Sequence, residues 1–299
     1  MENETISGNG NYYIHRAIFS FHYQNRAVFI NSNSKVLFET CSFFNNSSTE
    51  DGGSFYIENS ECVLVRICCS FSSSISIGCA YYISLPDGEC LKNYAFECSV
   101  SQCNGNQAAF YHYKGDIQIS NMNTSYNRID ELAAYAIDKS TVIGIINFTT
   151  ASDTISSSDE ALSNYGDFQI TKCNYLNNKI TWSNRAIIGC FYTSTYTDCS
   201  FIENKGNYLF LEKPTINNCY FQNNHYFQAV ENDPVIFESI EPLDSLIYHY
   251  TTDKCSATYF YIIGIDKTLK VDRFDLEKVK ILVKHFLNTS FFDLTVLGV

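Results

Sequence analysis

Between residues 36 and 230 the apolar positions return in one short order. A small or soft side chain comes first, then a polar one, then a ring, with an asparagine three residues after the ring. The phrase is clearest at Cys41-Ser42-Phe43-Phe44-Asn45-Asn46. It returns at Cys69-Ser70-Phe71, Cys98-Ser99-Val100, Cys173-Asn174-Tyr175-Leu176-Asn177-Asn178, Cys199-Ser200-Phe201-Ile202-Glu203-Asn204 and Cys219-Tyr220-Phe221-Gln222-Asn223-Asn224. Weaker copies lie at Met122-Asn123-Thr124-Ser125-Tyr126-Asn127 and around Asn147-Phe148-Thr149. Starts at 41, 69, 98, 122, 147, 173, 199 and 219 are separated by 28, 29, 24, 25, 26, 26 and 20 residues. A period in this range marks a solenoid or a related repeat array.

Each unit reads in three parts. In the Cys-x-Phe phrase, positions i and i+2 share one face of a strand, so a thiol and a ring point into a narrow interior. The closing Asn suits a sharp corner, because it tolerates left-handed backbone and bonds its own main chain. The second part runs from small residues into aromatics, as in Gly52-Gly53-Ser54-Phe55-Tyr56-Ile57 and Ala108-Ala109-Phe110-Tyr111. Small residues there let backbone pass close to backbone. The third is a short alternating strand such as Asp116-Ile117-Gln118-Ile119 or Asp167-Phe168-Gln169-Ile170. Three strands and three corners in one period leave no room for a helix, so the array is expected to be all-β, a three-sided parallel β-helix. A leucine-rich repeat has a similar period but needs Leu at several fixed places, where this chain has Cys, Phe, Tyr and Ile.

The repeat domain is expected over residues 1–234, with residues 12–40 as an opening coil. Beyond Pro234 the rhythm fades, and 235–299 reads as a non-repeating C-terminal cap covering the last rung. Within it, Leu276, Val279, Val283 and Phe286 fall at helical spacing, while Val279, Ile281 and Val283 equally fit a strand.

Aromatic residues make up 15% of the 299-residue chain and charged residues only 17%, which suits a folded β protein. The formal charge of −12 argues against a nucleic-acid surface. No apolar run reaches the roughly 20 residues of a membrane helix. The first residues, Met1-Glu2-Asn3-Glu4, lack the basic and apolar regions of a signal peptide.

Repetition of Phe-x-x-Asn (Phe43 to Asn46, Phe201 to Asn204, Phe221 to Asn224), followed by Gly52-Gly53-Ser54-Phe55, resembles a known repeat. It is similar to the Phe-x-x-Asn and Gly-Gly-Ala-Ile repeats of chlamydial polymorphic outer-membrane proteins and to β-helix repeats in surface-protein families of parasitic protists. The resemblance covers about residues 36–230. It implies a right-handed parallel β-helix at a cell surface or outside the cell, with adhesion or host interaction as its role. Gly-Gly appears in one unit only.

Thirteen cysteines raise the question of a disulfide framework. Six recur at the repeat position: Cys41, Cys69, Cys98, Cys173, Cys199 and Cys219. Stacked coils place equivalent residues about 4.8 Å apart with parallel Cβ vectors, which a disulfide does not accept without strain. These six are therefore expected to form a buried ladder of free thiols. Cys62, Cys68, Cys79, Cys90 and Cys103 fall off that register and are better disulfide candidates. The same stacking would gather Asn46, Asn178, Asn204 and Asn224 at one corner, where amides can bond along the axis.

Catalytic chemistry is hard to find. The Asn-x-Asp, Asp-Asp, Gly-His-Gly and Arg-Ile-Lys strings of galacturonase-like β-helix enzymes are absent, as is the Arg-x-Pro-x-x-Arg of pectate lyases. Asp116 and Asp167 open equivalent strands two periods apart and read as solvated corner residues. The six histidines show no metal spacing and read as exposed or partly packed rings. No catalytic residue, metal site or cofactor is expected. The reading is a non-catalytic repeat protein with an extended surface for a protein or glycan ligand, Tyr supplying rigid contact area. A carbohydrate-active enzyme on the same scaffold is the alternative, followed by a gene fragment whose only property is folding.

Overall fold

Our computed structural model describes residues 5–181, 184–242 and 292–294, and all regular structure among them is β. Its strands pair in parallel and stack into a β-solenoid of about eight turns, each of roughly 26 residues. In chain order, a coil contributes first a strand such as Lys35–Glu39, then the strand of the Cys-x-Phe phrase, Ser42–Phe44. A short strand, Ser47–Ser48, follows, and then the aromatic strand Phe55–Glu58. Equivalent strands form four sheets of ten, nine, six and nine strands among the described residues, called here the first to the fourth.

The third sheet is the departure from a three-part unit. Its strands, including Ser73–Ile77, Asn104–Gln107 and Arg128–Glu131, turn mostly small or polar residues inward, and only Ile129 and Ile180 of its strands enter the core among the described residues. Backbone pairing carries them, and no hydrophobic pattern announces it.

Corners on both sides of the second sheet use residues with positive φ. Thr40 (φ 55°) and Asn45 (φ 50°) bracket Ser42–Phe44, Lys172 (φ 54°) and Asn177 (φ 50°) bracket Asn174–Leu176, and Asn218 (φ 53°) and Asn223 (φ 50°) bracket Tyr220–Gln222. At the corner after the strand, the left-handed residue is the first asparagine of Asn45-Asn46, Asn177-Asn178 and Asn223-Asn224, where αL costs least. The second turns inward, so the two amides of a pair do different work.

Inside, Phe43 meets Phe55 and Phe201 meets Phe210 ring to ring, while in the middle coils large side chains on one sheet face smaller ones on the other. The second-sheet column runs Phe19, Phe43, Cys69, Val100, Thr124, Ala151, Tyr175, Phe201, Phe221. Across the interior the fourth sheet supplies Phe55, Tyr81, Phe110 and Tyr135, stacked with centroids 4.7, 5.5 and 5.6 Å apart. Rings therefore stand on the fourth sheet where the second has Cys69, Val100 and Thr124. Where Tyr175 fills the second sheet, its coil has Ile188 opposite, and all these side chains are buried except Phe221, which is partly buried. Filling a tube of constant width to native density requires this compensation.

Register sets the coil length. From Cys41 the equivalent positions are Ile67, Cys98, Met122, Thr149, Cys173, Cys199 and Cys219, since Ser42 pairs with Cys68 and Cys68 with Ser99. The longest step, from 67 to 98, includes the loop at 85–91 between Tyr81–Ser84 and Lys92–Phe96. At the far end Val235 and Phe237 pack on the core, and Ile240 N–H donates to the Cys219 carbonyl at 3.2 Å. Phe292–Leu294 pairs by its backbone with Tyr12–Ile14, at the opposite end of the first sheet. The expected helix or strand at 274–287, and most of the expected cap, lie outside the described residues.

Candidate functional site

The asparagine ladder forms as a set of clamps between coils. Each Asn reaches to the preceding coil, where its Oδ1 accepts a backbone N–H and its Nδ2 donates to a carbonyl. Asn46 bonds His22 N–H (3.0 Å) and the Phe19 carbonyl (3.2 Å). Asn178 bonds Thr154 N–H (3.4 Å) and the Ala151 carbonyl (2.9 Å), and Asn204 bonds Asn178 N–H (3.1 Å) and the Tyr175 carbonyl (2.7 Å). Asn224 bonds Asn204 N–H (3.0 Å) and the Phe201 carbonyl (2.7 Å). Asn127 joins the set by accepting Cys103 N–H at 2.9 Å. A buried corner has backbone groups the sheets cannot pair, and the side-chain amide supplies both a donor and an acceptor for them.

Cys41, Cys98, Cys173, Cys199 and Cys219 line the other corner of the second sheet in one column, with Ile67, Met122 and Thr149 in the intervening coils. Their thiols act as weaker versions of the same clamp. Cys199 Sγ accepts Cys173 N–H at 3.4 Å and Cys219 Sγ accepts Cys199 N–H at 3.4 Å. Cys41, Cys173, Cys199 and Cys219 donate to first-sheet carbonyls of the preceding coil at 3.3–3.7 Å. Cys69 stands elsewhere: it pairs with Phe43 and Val100 and so occupies the ring position. Reading Cys69-Ser70-Phe71 as the repeat phrase slips the register by two residues, which keeps every side chain on its own face and leaves the pattern looking intact.

All six of these cysteines are buried and free. Burial pushes the Cys41 and Cys98 thiols up, to about 11 and about 12, so neither is a ready nucleophile. Of the off-register cysteines, Cys68 is disulfide-bonded, Cys62, Cys79 and Cys103 are buried free thiols, and Cys90 is free and exposed on the 85–91 loop.

His112 departs from the expectation of an exposed or partly packed ring. It replaces isoleucine in the fourth sheet's inward column, between Ile83 and Ile137, and is fully buried. Asn93 donates its Nδ2 to the Lys114 carbonyl at 3.0 Å, which leaves Oδ1 to accept His112 Nδ1–H at 2.6 Å. His112 Nε2 then accepts the Tyr81 hydroxyl at 3.1 Å. The ring is neutral, and burial pushes its pKa down to about 3. This trio has no opening to solvent and is a core device. Among the described residues no group of three or more His, Cys, Asp and Glu is placed to hold a metal ion. Asp116 accepts from Tyr94 and Gln118, and Asp167 accepts Thr193 N–H at 3.2 Å, each within its own stretch of the first sheet.

The outer face of the fourth sheet carries the chemistry that the repeat reading did not single out. Phe29, Tyr56, Tyr82 and Tyr111 are register partners in four successive coils, with centroids 5.7, 5.0 and 5.1 Å apart. Arg26 closes the top of this column, its guanidinium 4.5 Å from the Phe29 centroid and 5.3 Å from that of Tyr56, anchored by Glu50 and the Asp51 carbonyl. Ring faces are spent on one another, so the column presents edges and hydroxyls.

Below Tyr111 the column changes to Ala136, Ser163 and Gly189. An acidic corner lies beside this step. Gln107 and Glu131 are register partners with an amide–carboxylate contact of 3.2 Å, and the Glu160 carbonyl accepts Leu132 N–H as the Glu131 carbonyl accepts Ala108 N–H. A Cβ at Gly189 would lie 3.1 Å from Glu160 Cγ, so glycine makes room for that side chain. Burial, reinforced by adjacent Asp159, pushes the Glu160 carboxyl up to about 8. Asp159 pairs with Arg185 at 3.3 Å. On the other flank Asp138 accepts the Tyr111 hydroxyl, and burial pushes it up to about 6. Glu160, biased toward its protonated form by burial, thus lies beside Asp159 and its Arg185 partner, and such pairs of carboxyls in unlike surroundings are used in acid–base chemistry.

The sequence signal for the aromatic column was the small-to-aromatic second part of each unit. For Glu160 there was none, because Ser158-Asp159-Glu160-Ala161 reads as a polar turn. Among the described residues no helix is long and apolar enough to cross a membrane. Compared with family models, curated proteins and solved structures, the chain matches none of them.

Proposed function

We propose that this protein is a non-catalytic β-solenoid that binds a protein or glycan through its outer faces, at a cell surface or outside the cell. The observation that carries this reading is the outer aromatic column from Phe29 to Tyr111. Its rings are held rigid by stacking and by Arg26, and they display ring edges over four coils, three of them bearing a hydroxyl, at little further cost in side-chain entropy. Similarity of the repeat phrase to chlamydial and protist surface proteins supports the same role and location. The acidic balance of the chain disfavours nucleic acid as the partner.

The test is binding of purified protein to glycan panels and whole cells, alongside the variant Tyr56→Ser/Tyr111→Ser. Binding that the double variant loses, with its melting transition retained, supports the reading. Binding that is unchanged in the variant refutes the assignment to this face.

A second reading, a carbohydrate-active enzyme, is favoured by Asp159 and Glu160. Release of reducing ends or unsaturated products from a polysaccharide, abolished by Glu160→Gln, would establish it in place of the first.

A further inference from the structure

An outward column of the third sheet turns basic in the far half of the solenoid. It begins with Ser47, Ser73 and Asn104, and its next register partners are Arg128, Ile155, Lys179, Lys205 and His225. Arg128, Lys179, Lys205 and His225 are all exposed. Lys205 stands directly between Lys179 and His225, one rise of about 4.8 Å from each. Like charges in register destabilise a sheet, and no ion pair offsets this one. Among the described residues Arg128, Lys179 and Lys205 form none, whereas six other basic side chains each hold a carboxylate. In a chain of formal charge −12 the row is a local reversal of sign. At its last rung it meets a ring in water: Phe227, two residues after His225, is 84% exposed, while its backbone N–H is fixed on the Asn207 carbonyl at 3.0 Å. The corner beside the row carries Asn177, Glu203 and Asn223, each exposed and two residues before Lys179, Lys205 and His225 respectively.

We infer that this row binds an anionic polysaccharide, a carboxylated or sulfated glycan laid along the solenoid axis with Phe227 against the face of a sugar. The site lies on a different face from the aromatic column of Phe29 to Tyr111 and does not depend on it. From Arg128 to His225 the row runs over four rises, about 19 Å, so it suits an extended polymer with acid groups on separate sugars. Acids on the other faces do not prevent this, because at physiological ionic strength the field of an exposed charge fades within about 8 Å. The neighbouring corner selects among polyanions. Amides of Asn177 and Asn223 and the Glu203 carboxylate complement hydroxyls, which both donate and accept. The same carboxylate repels a polymer with charge at every link. Single-stranded nucleic acid also needs a ring for each of several successive bases, and this row has one, at its end.

The experiment measures binding of the purified full chain to polygalacturonate, dextran sulfate, unmodified dextran and oligo(dT), at low and raised salt. The protein is compared with Lys179→Gln/Lys205→Gln, both exposed positions, after its melting transition has been shown to be retained. Expected is binding of polygalacturonate or dextran sulfate that weakens with salt and that unmodified dextran does not match. The double variant should lose about tenfold or more in affinity, the size of one charge-assisted hydrogen bond. Which of the two polymers binds more tightly tells carboxylate from sulfate. No binding of either polyanion, or binding that the double variant leaves unchanged, would overturn the inference. Oligo(dT) bound as tightly as the glycans would overturn it in favour of nucleic acid. Loss in Tyr56→Ser/Tyr111→Ser with the lysine variant unaffected would move the polymer to the fourth sheet, overturning this site while the binding role proposed above stands.

Discussion

Asn204 holds Asn178 twice, its Oδ1 accepting both the backbone N–H and the side-chain Nδ2–H of Asn178 at 3.1 Å. The bonds run along the solenoid axis, in the direction of the backbone ladder. One residue thereby ties three partners in the coil before it, counting the Tyr175 carbonyl. Replacing Asn204 with Ala leaves these buried groups unpaired, at about 1–3 kcal/mol for each lost partner. Asn204→Ala is expected to lower the unfolding free energy by about 2–4 kcal/mol, seen in urea unfolding as a lower midpoint with the slope unchanged. A loss below about 0.5 kcal/mol, the size of an ordinary surface substitution, would mean that the clamp is ornamental.

Gly53 marks the closest backbone approach in the fourth-sheet corner. A Cβ there would meet the Cys79 carbonyl oxygen at 2.0 Å and the Ser73 carbonyl oxygen at 2.5 Å. Gly53→Ala must move one coil away from the next and is expected to cost about 3 kcal/mol, at the upper end for overpacking. Thermal unfolding of the variant checks this, and a melting temperature equal to that of the parent would contradict the corner geometry.

His112 and Glu160 give the stability opposite dependences on pH. An unfolded histidine takes up its proton near pH 6.5, the folded His112 only near 3. Between these values the unfolded chain binds the extra proton, so stability falls with falling pH by about 1.4 kcal/mol per unit. Glu160 has the reverse sign. The folded carboxyl keeps its proton to about pH 8 while the unfolded one releases it near 4.5, so stability falls as pH rises through that window. His112→Gln should flatten the fall in stability below about pH 6.5, and Glu160→Gln the opposing fall between about pH 4.5 and 8. A profile unchanged by either substitution would refute the assigned burial.

Thiol reactivity separates the column from the loop. Among the described free thiols Cys90 is exposed and the remainder are buried. Brief treatment of native protein with iodoacetamide should label Cys90 and spare Cys41, Cys69, Cys98, Cys173, Cys199 and Cys219, all of which label after denaturation. Fast native labelling at any of the six, read by peptide mass spectrometry, would show that its corner opens.

The solenoid was legible because its interior is periodic. Cys, ring and Asn each recur where the fold needs a narrow corner, a filled layer and a clamp, and Cys41, Phe43 and Asn46 announce all three. Legibility weakened in the middle coils for a physical reason. There only the fourth sheet keeps its rings, as Tyr81, Phe110 and Tyr135, and the second sheet has Cys69, Val100 and Thr124 in the ring position. The phrase lost its ring while the fourth-sheet stack ran on unbroken. The two-residue slip at Cys69 follows from this loss, since Phe71 was the nearest ring to hand and face parity could not object. The third sheet was invisible because its serines, asparagines and charges pair largely through backbone, with only Ile129 and Ile180 of its strands reaching the core among the described residues. The acidic corner was invisible because Glu131 and Glu160 come together through stacking across coils of unequal length, which no local spacing reports.

The 85–91 loop shows where this architecture accepts change. The clamps grip the backbone on the two sides of the second sheet, and the arc between fourth and first sheets answers to neither. Insertions there can lengthen a coil without disturbing the storeys above and below. A lineage could diversify that rim, or an engineer graft a foreign epitope onto it, while the tube beneath stays as it is.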